Sequence, residues 1–276
     1  MTRLINLRPS KPASFWLASI PFLIVLCVYS WFSFQRHQDN PDDRLLPTAS
    51  QLVQAIDRIA VKEDPRTGQV ILWEDSKASL QRLLIAVVVS AALALCIGIA
   101  TGLLAVARAP LSPFIAVLSL IPPMAILPIL FIIFGLDELS KVELIVIGIA
   151  PFLIRDLQGR VQEIPHEQLI KAQTLDASTW QIAIRIVLPQ VMPRLVDSVR
   201  LSLGAAWLFL ISAEAIAAEQ GLGYRIFLVR RYLSMDVIIP YVMWITLLAF
   251  FMDRMLLSFN RRCFPWLYVS RSVEER

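Results

Sequence analysis

Hydrophobic residues occur along this chain in long continuous runs and do not alternate with polar residues. A bilayer core needs roughly 20 residues of helix to cross it, and six runs approach that length. The runs cover residues 15–34, 83–106, 111–134, 142–154 with its flanks, 201–218 and 237–259, and the fourth is the shortest. Because lipid offers no partner to a free backbone N–H or C=O group, continuous runs favour helices over a barrel. The pattern predicts an all-α, polytopic membrane protein with about six transmembrane helices.

The composition agrees with this pattern and argues against other classes of protein. Hydrophobic residues make up 57% of the 276 residues and charged residues only 17%, whereas soluble domains have about one half and one quarter. The net charge of +4 comes from residues beside the apolar runs, which form no basic stripe with interleaved aromatics. The three cysteines lack a zinc-type spacing, and His37 and His166 both lie outside the runs. We therefore expect neither a nucleic-acid partner nor a metal site.

The positions of the runs predict the organisation of the chain. A cytoplasmic segment 1–14 precedes the first transmembrane helix at 15–34, which lacks an A-x-A cleavage site and is interpreted as a retained anchor. An external segment at 35–79 is followed by a five-helix membrane core at 80–260 and a cytoplasmic tail at 261–276. Both termini and most basic residues are then cytoplasmic, in agreement with the positive-inside rule.

The predicted external side carries an amphipathic stretch and an exception to the charge rule. After Pro47, the residues Leu52, Ile56 and Ile59 recur with helical spacing, which predicts a short amphipathic helix on the outer face. A solvated linker is the alternative interpretation. The exception to the positive-inside rule is formed by three arginines between the fifth and sixth runs: Arg225, Arg230 and Arg231.

Small residues and prolines mark two of the membrane runs. Ala94, Gly98 and Gly102 repeat at every fourth position of the second run, a stripe that allows another helix to approach closely. Pro122 and Pro123 in the third run remove backbone donors and should kink or break the helix. A broken helix in lipid lines either a cavity or neighbouring protein, so the third run is a candidate wall of a solute path, with simple packing as the alternative.

The longest predicted cytoplasmic connection, residues 155–196, shows the punctuation of ordered helices. Pro165 suits the first position of a short helix, and Ser178 with Gln181 forms a capping box for a second one, which Pro189 should end or kink. A compact amphipathic element of this kind is suited to docking in a groove on a partner protein. The alternative is a connecting loop without a binding role.

This connection resembles the EAA loop of bacterial ABC importer permeases. The resemblance is carried by Ile170-Lys-Ala-Gln-Thr-Leu-Asp176, followed at the family's spacing by Ile186-Val-Leu-Pro189. The family pattern opens with Glu-Ala-Ala and has Gly six positions after the Glu, whereas this chain has Ile170 and Lys171 in the first two places and Asp176 at the glycine. Asp tolerates turn and left-handed conformations better than most residues, so the last change is physically mild.

Further segments extend the resemblance over most of the chain. They are Leu-Leu-Pro47-Thr-x-Ser50, Ser79-Leu-x-Arg82, Ile121-Pro-Pro123 and Gly221-Leu-Gly223. Together they are similar to the nitrate, sulfonate, taurine and bicarbonate group of these permeases. Weaker similarity of Ala213-Glu-Ala-Ile216 and of residues 224–231 to permeases of urea-carboxylase-type pathways implies guanidine or urea compounds as the alternative cargo.

The resemblance implies the fold of a type I ABC importer permease in a bacterial inner membrane. Its implied partners are a second copy of this chain, a dimer of ATP-binding subunits and a periplasmic solute-binding protein, in addition to the lipid bilayer. ATP and Mg would be bound by the partner, because this chain has no phosphate-binding loop, and no cofactor or catalytic residue is expected here. The implied residues of the coupling helix are Ile170, Lys171, Ala172, Leu175, Asp176, Ala177 and Ser178.

The candidate residues of the translocation path are Pro122, Pro123, Trp207, Ser212 and Glu214. Glu214 has two open interpretations, because a carboxylate within a span usually faces a cavity or a partner charge. It either contacts a cationic solute, or it lies near the outer end of its span, where it pairs with Arg225 or caps backbone donors. An ATP-independent channel or secondary transporter is the competing function, but it leaves the docking element unexplained.

Overall fold

The computed structural model describes residues 10–39, 45–63 and 68–266, and every regular element in these ranges is helical. The predicted all-α class is therefore confirmed. Residues 1–9 of the predicted N-terminal segment and residues 267–276 of the predicted tail lie outside the described residues. The helices are α1 Lys11–Asp39, α2 Ala49–Ala60, α3 Ile71–Leu103, α4 Ala105–Leu118, α5 Pro123–Phe134, α6 Glu138–Gln162, α7 His166–Thr174, α8 Thr179–Ala217, α9 Leu222–Arg230 and α10 Met235–Cys263.

Four helices of the described chain, α1, α3, α8 and α10, are long and apolar enough to cross a membrane. The bent pair of α4 and α5 makes a fifth span if it is counted as one. The short fourth run of the sequence lies within α6, whose 25 residues reach about 37 Å at the helical rise. Charged residues at both ends make α6 less apolar than the others. It is also the central helix, packed against α3, α5 and α8, so much of its surface meets protein instead of lipid.

The third predicted span, 111–134, is not one helix. α4 ends at Leu118, α5 begins at Pro123, and the two helices meet at 97°. Pro122 is extended (φ −64°, ψ 118°), because the ring of Pro123 disfavours helical geometry at the residue before it. The predicted break is thus confirmed, and it is sharp enough to be a broken span or a re-entrant loop.

Of the two outcomes predicted for Pro189, an end or a kink of its helix, the first does not occur. α8 runs through it without interruption to Ala217, and a π-helical turn at Ala183–Val187 comes directly before it. Proline lacks an N–H and its ring clashes with the carbonyl four residues earlier, so a wider turn at that place relieves both problems. The predicted loop 155–196 is correspondingly shorter, because its two ends are helical parts of α6 and α8.

The stripe of small residues packs inside the chain. A Cβ atom on Gly102 would lie 2.5 Å from Cβ of Val161, and one on Gly98 would lie 3.0 Å from Cβ of Leu157. Both partners belong to α6, so the stripe brings α3 into close contact with α6. It therefore gives no support to contact with a second copy.

The predicted amphipathic helix is α2, with Thr48 and Gln51 forming its capping box. It packs on α10 and α3, and Arg58 at its end forms an ion pair with Asp236 of α10 at 3.2 Å. By contrast, α1 is exposed along nearly its whole length. It is held near the start of α2 by hydrogen bonds such as Tyr29 Oη to the Pro47 carbonyl at 2.8 Å.

Candidate functional site

The connection between α6 and α8 folds into a short helix closed by a left-handed turn. Pro165 precedes α7, and the helix ends with Asp176 at φ 59°. Hydrogen bonds from the Ala177 N–H to the Ala172 carbonyl and from Asp176 N–H to Gln173 O, each at 3.0 Å, close this end in the manner of a Schellman motif. Asp therefore fills a position that usually takes Gly, and Ser178 then caps the next helix.

The residues predicted for coupling divide into anchors and exposed side chains. Ala172 is buried and Ala177 half-buried, so they hold the element against the bundle. Leu175 is 82% exposed and Ile170 is 51% exposed, and the charged Lys171 is exposed beside them. Apolar side chains exposed in a row with charged neighbours are typical of a surface that meets a partner. We refer to Ile170, Lys171, Leu175 and Asp176 as the docking surface, because the sequence predicts a partner at this element.

A side-chain hydrogen bond links α7, next to the docking surface, to α8, the longest of the described helices. Gln190 of α8 donates through Nε2 to Oε1 of Gln168 in α7 at 3.0 Å, and its Nε2 also bonds the Ile186 carbonyl. α8 then continues from Thr179 to Ala217 with Glu214 in its last turn. α8 therefore connects the region of the docking surface with the end of the bundle that holds Glu214.

At that opposite end, eight polar side chains from α3, α6, α8, α9 and α10 form an ion network, called the buried ion network because all but the exposed Glu138 are buried or half-buried. Its members are Asp75, Ser79, Arg82, Glu138, Lys141, Glu214, Arg225 and Tyr241. The sequence marked Glu214 and Arg225 individually but missed how these residues combine. The available signal was the spacing of Asp75, Ser79 and Arg82, which places three polar side chains on one face of α3.

Glu214 is fully buried, and both of its carboxylate oxygens are occupied. Oε1 accepts from Ser79 Oγ and from Arg82 Nη1, each at 2.7 Å, and Oε2 accepts from the Gly223 N–H at 2.8 Å. The predicted pairing with Arg225 is wrong, because Arg225 donates to Asp75 at 2.8 Å. The predicted capping of backbone donors does occur, since Glu214 binds the first turn of α9.

The Gly221-Leu-Gly223 segment is required by this network. Gly221 has φ 133°, and a Cβ atom there would lie 2.6 Å from Cδ of Glu214. A Cβ on Gly223 would lie 2.6 Å from the Ile211 carbonyl oxygen. Only glycine lets the backbone approach this closely, so that the Gly221 and Leu222 N–H groups reach Asp75 (3.0 Å) and Ser79 (2.9 Å).

Asp75 forms the second half of the network. It is buried and accepts from Gly221, from Tyr241 Oη at 3.0 Å and from Arg225. Burial alone would lower the pKa of Arg225, but its hydrogen bonds to Asp75 act in the opposite direction and keep that pKa above its ordinary value. α3, α9 and α10 are joined here by charge-assisted bonds, which are about twice as strong as neutral ones.

Arg82 carries a second carboxylate on its other edge. Its Nη2 donates to Oε1 of Glu138 at 2.8 Å and its Nε to Oε2, while Lys141 Nζ donates to Glu138 at 2.9 Å. Glu138 precedes the apolar stretch of α6, and the hydrogen bond from Arg82 holds its pKa at about 2. The carboxylate is therefore ionised at any physiological pH.

The residues predicted for the path are not gathered in one place. Pro122 is exposed and Pro123 half-buried at the break between α4 and α5. On α8, Trp207 lies on the buried face with Glu214, whereas the hydroxyl of Ser212 donates to the Leu208 carbonyl. The indole N–H of Trp207 has no hydrogen-bond partner among the described residues.

A further ion pair lies between α8 and α10. Arg200 bridges Asp253 (2.9 Å) and Asp197 (3.3 Å), and Asn260 donates to Asp197. Arg254 instead lies over the ring of Phe250. The described ranges contain no cluster of three or more His, Cys, Asp or Glu residues suited to a metal ion.

Comparison with known proteins gives matches over most of the chain. A family described as "Binding-protein-dependent transport system inner membrane component" matches residues 67–264. The taurine transport system permease protein TauC of Escherichia coli is 35% identical over 71% of each chain. The putative aliphatic sulfonates transport permease protein SsuC of Bacillus subtilis is 27% identical over 80% of this chain and 78% of its own. The nitrate import permease protein NrtB of Leptolyngbya laminosa is 29% identical over 57% and 56%.

Among solved structures, a chain of the MetNI methionine ABC transporter in an inward-facing conformation has a similar fold. The TM-score is 0.52 at 20% identity, and the match covers 68% of this chain and 94% of that one. At this identity the likeness concerns the fold alone.

Proposed function

Since the chain belongs to the binding-protein-dependent transport system inner membrane components, we propose that it is the transmembrane subunit of an ATP-driven importer for a small polar solute. It forms the translocation path and hydrolyses no ATP itself. The family implies an ATP-binding subunit and a solute-binding protein as partners. The relatives named for taurine, sulfonates and nitrate support a solute with a sulfonate- or nitrate-like group, and guanidine or urea compounds are the alternative.

The observation that carries this proposal is the docking surface on its short, closed helix. Ile170 and Leu175, exposed on the same short element beside Lys171 and Asp176, give it the apolar and charged side chains that a groove on an ATP-binding subunit would bind. Closure of that subunit would move α7 as a rigid body, and the bond between Gln168 and Gln190 would pass the movement to α8. A channel or secondary carrier has no use for such a surface.

The proposed assembly contains two copies of this chain on two ATP-binding subunits, in a bacterial inner membrane. The docking surface lies on the cytoplasmic side, and both termini lie there as well. The buried ion network is then close to the outer surface, where a periplasmic protein delivers the solute. The exposed length of α1 and the family membership support an assembly in which this chain is covered by other subunits and lipid.

The test is uptake into vesicles that hold this chain together with its ATP-binding subunit, with the solute-binding protein added outside. Radiolabelled taurine, nitrate, guanidine and urea are compared with and without ATP inside the vesicles. We expect uptake of taurine or nitrate that requires ATP and the solute-binding protein. Uptake that is equal without ATP would overturn the importer in favour of a channel or secondary transporter.

A further inference from the structure

Three N–H donors from two buried cations converge on one exposed carboxylate at the edge of the ion network. Arg82 and Lys141 are 6% and 3% exposed, whereas the side chain of Glu138 is 62% exposed. The usual arrangement of an ion pair places both partners in a similar environment. Here both cations lie in the protein interior, and only the carboxylate of Glu138 faces outward.

The orientation of the Arg82 guanidinium is fixed independently of Glu138. Nη1 of Arg82 is held by Glu214 at 2.7 Å and by the Gln220 carbonyl at 2.9 Å. The remaining edge of the guanidinium, Nε and Nη2, is therefore kept in the orientation that binds two oxygens of one planar or tetrahedral anion. Lys141 adds a third donor from the same face of α6, three residues after Glu138.

The charges require an anion at this position at all times. Arg82 and Lys141 are balanced by Glu214 and Glu138, and removal of Glu138 alone leaves one buried positive charge without a counter-ion. Glu138 is the first residue of α6 and follows Gly135, which has φ 75°. Its side chain can rotate into solvent without any change in the helices that hold the two cations.

We propose that Arg82 and Lys141 form a binding site for the oxyanion group of the solute, and that Glu138 occupies the site as an internal counter-ion when solute is absent. The proposal rests on the proposed function and names its substrate class as small oxyanions such as sulfonates and nitrate. A solute anion replaces the carboxylate of Glu138 on the same donors. Glu214 offers no free oxygen to a cationic solute, because both of its carboxylate oxygens are already bound.

The test measures anion binding by the full chain purified in detergent, without transport. Thermal unfolding is followed while sodium nitrate or sodium methanesulfonate replaces sodium chloride at constant ionic strength. In Glu138→Ala and in the isosteric Glu138→Gln the site lacks its internal anion. Nitrate and methanesulfonate, each at a concentration ten times its Kd, should therefore raise Tm by roughly 2–4 °C. The wild-type chain should respond much less, because Glu138 competes.

Asp137→Ala is the matched control for general salt effects. Asp137 is the exposed neighbouring carboxylate, and its side chain makes no cap hydrogen bond to α6. Addition of Lys141→Met to Glu138→Ala should abolish the gain, and guanidinium chloride at low concentration should produce none. The proposal is overturned if the Glu138 variants follow the Asp137→Ala curve, or if the gain survives the loss of Lys141.

The outcome is separable from that of the uptake experiment. ATP-driven uptake without anion-dependent stabilisation would refute this site and leave the importer intact. Anion-dependent stabilisation in a chain that transports without ATP would refute the importer and support the site. If Glu138→Ala does not fold, Glu138→Gln gives the decisive curve.

Discussion

Charged residues are buried and paired at one end of the bundle and exposed at the other. At the buried ion network, five helices meet and each carboxylate of Asp75 and Glu214 is bound by several donors out of contact with solvent. At the docking surface, Leu175, Lys171 and Asp176 lie open around a single short helix. The first end fixes the positions of its helices relative to one another. The second end has exposed side chains that are available to a partner.

This difference indicates how the two ends respond to change. Loss of one donor to a buried carboxylate, or an added methyl group that pushes a donor away, leaves a buried charge without full compensation. The docking surface has already taken Asp176 in place of the family's glycine and Ile170-Lys171 in place of Glu-Ala, and the turn still closes. Substitutions should therefore affect folding at one end and transport at the other.

The largest effect on stability is expected for Glu214→Ala. It removes the buried counter-ion of Arg82 and frees the Ser79 hydroxyl and the Gly223 N–H, so the free energy of unfolding should fall by about 3–5 kcal/mol. Thermal unfolding in detergent and the yield of folded protein measure this. Glu219→Ala is the control, because Glu219 is exposed just beyond α8. Equal stability of both variants would contradict a structural network.

A smaller loss is expected for Gly221→Ala. The left-handed φ of 133° and the 2.6 Å approach to Glu214 both oppose a side chain, and strained backbone of this kind costs roughly 1–3 kcal/mol. The control is Gly159→Ala within α6, where a Cβ atom meets nothing within 4 Å and alanine should stabilise the helix by up to about 1 kcal/mol. Opposite signs for the two changes are the expected result in the same unfolding assay.

Asp176→Gly should have a still smaller effect and the opposite sign to Gly221→Ala. Gly adopts φ 59° without the crowding of a Cβ atom, but it also gains freedom in the unfolded chain. We expect a stabilisation of at most about 1 kcal/mol. Asp176→Val, which is β-branched, should instead destabilise the turn. A stabilising Val would show that the left-handed turn is absent in solution.

Features that depend on neighbouring residues were predictable from the sequence. The amphipathic helix α2, the capping box of Ser178 and the break before Pro123 were all located correctly, because each is decided within a few positions. At Pro189 the sequence predicted an end or a kink of the helix, but not the π-helical turn at Ala183–Val187 with which α8 continues through it. Local rules give the ends of helices but not their continuity under tertiary packing.

The ion network was beyond sequence reasoning for a different reason. Ser79 and Glu214 are 135 residues apart, and nothing in either neighbourhood specifies the other. Periodicity shows that Asp75, Ser79 and Arg82 share a face of α3, yet the choice of partner depends on the arrangement of five helices. Glu214 was therefore identified as notable, while its proposed partner Arg225 was wrong.

The smallest effect on stability and the sharpest contrast with Glu214 are expected for Leu175→Ala. Leu175 is 82% exposed, so its truncation should change the free energy of unfolding by no more than about 0.5 kcal/mol. An apolar anchor at the centre of an interface is nevertheless typically worth more than 1 kcal/mol of binding, so ATP-driven uptake should fall about tenfold.

Uptake, ATP hydrolysis and Tm are measured on the same vesicle preparation, with Val53→Ala on the exposed side of α2 as the control. Loss of uptake at unchanged Tm, with Val53→Ala normal in both, separates an end built for a partner from an end built for the fold. Normal uptake by Leu175→Ala would place the contact with the ATP-binding subunit elsewhere on the chain and remove the distinction.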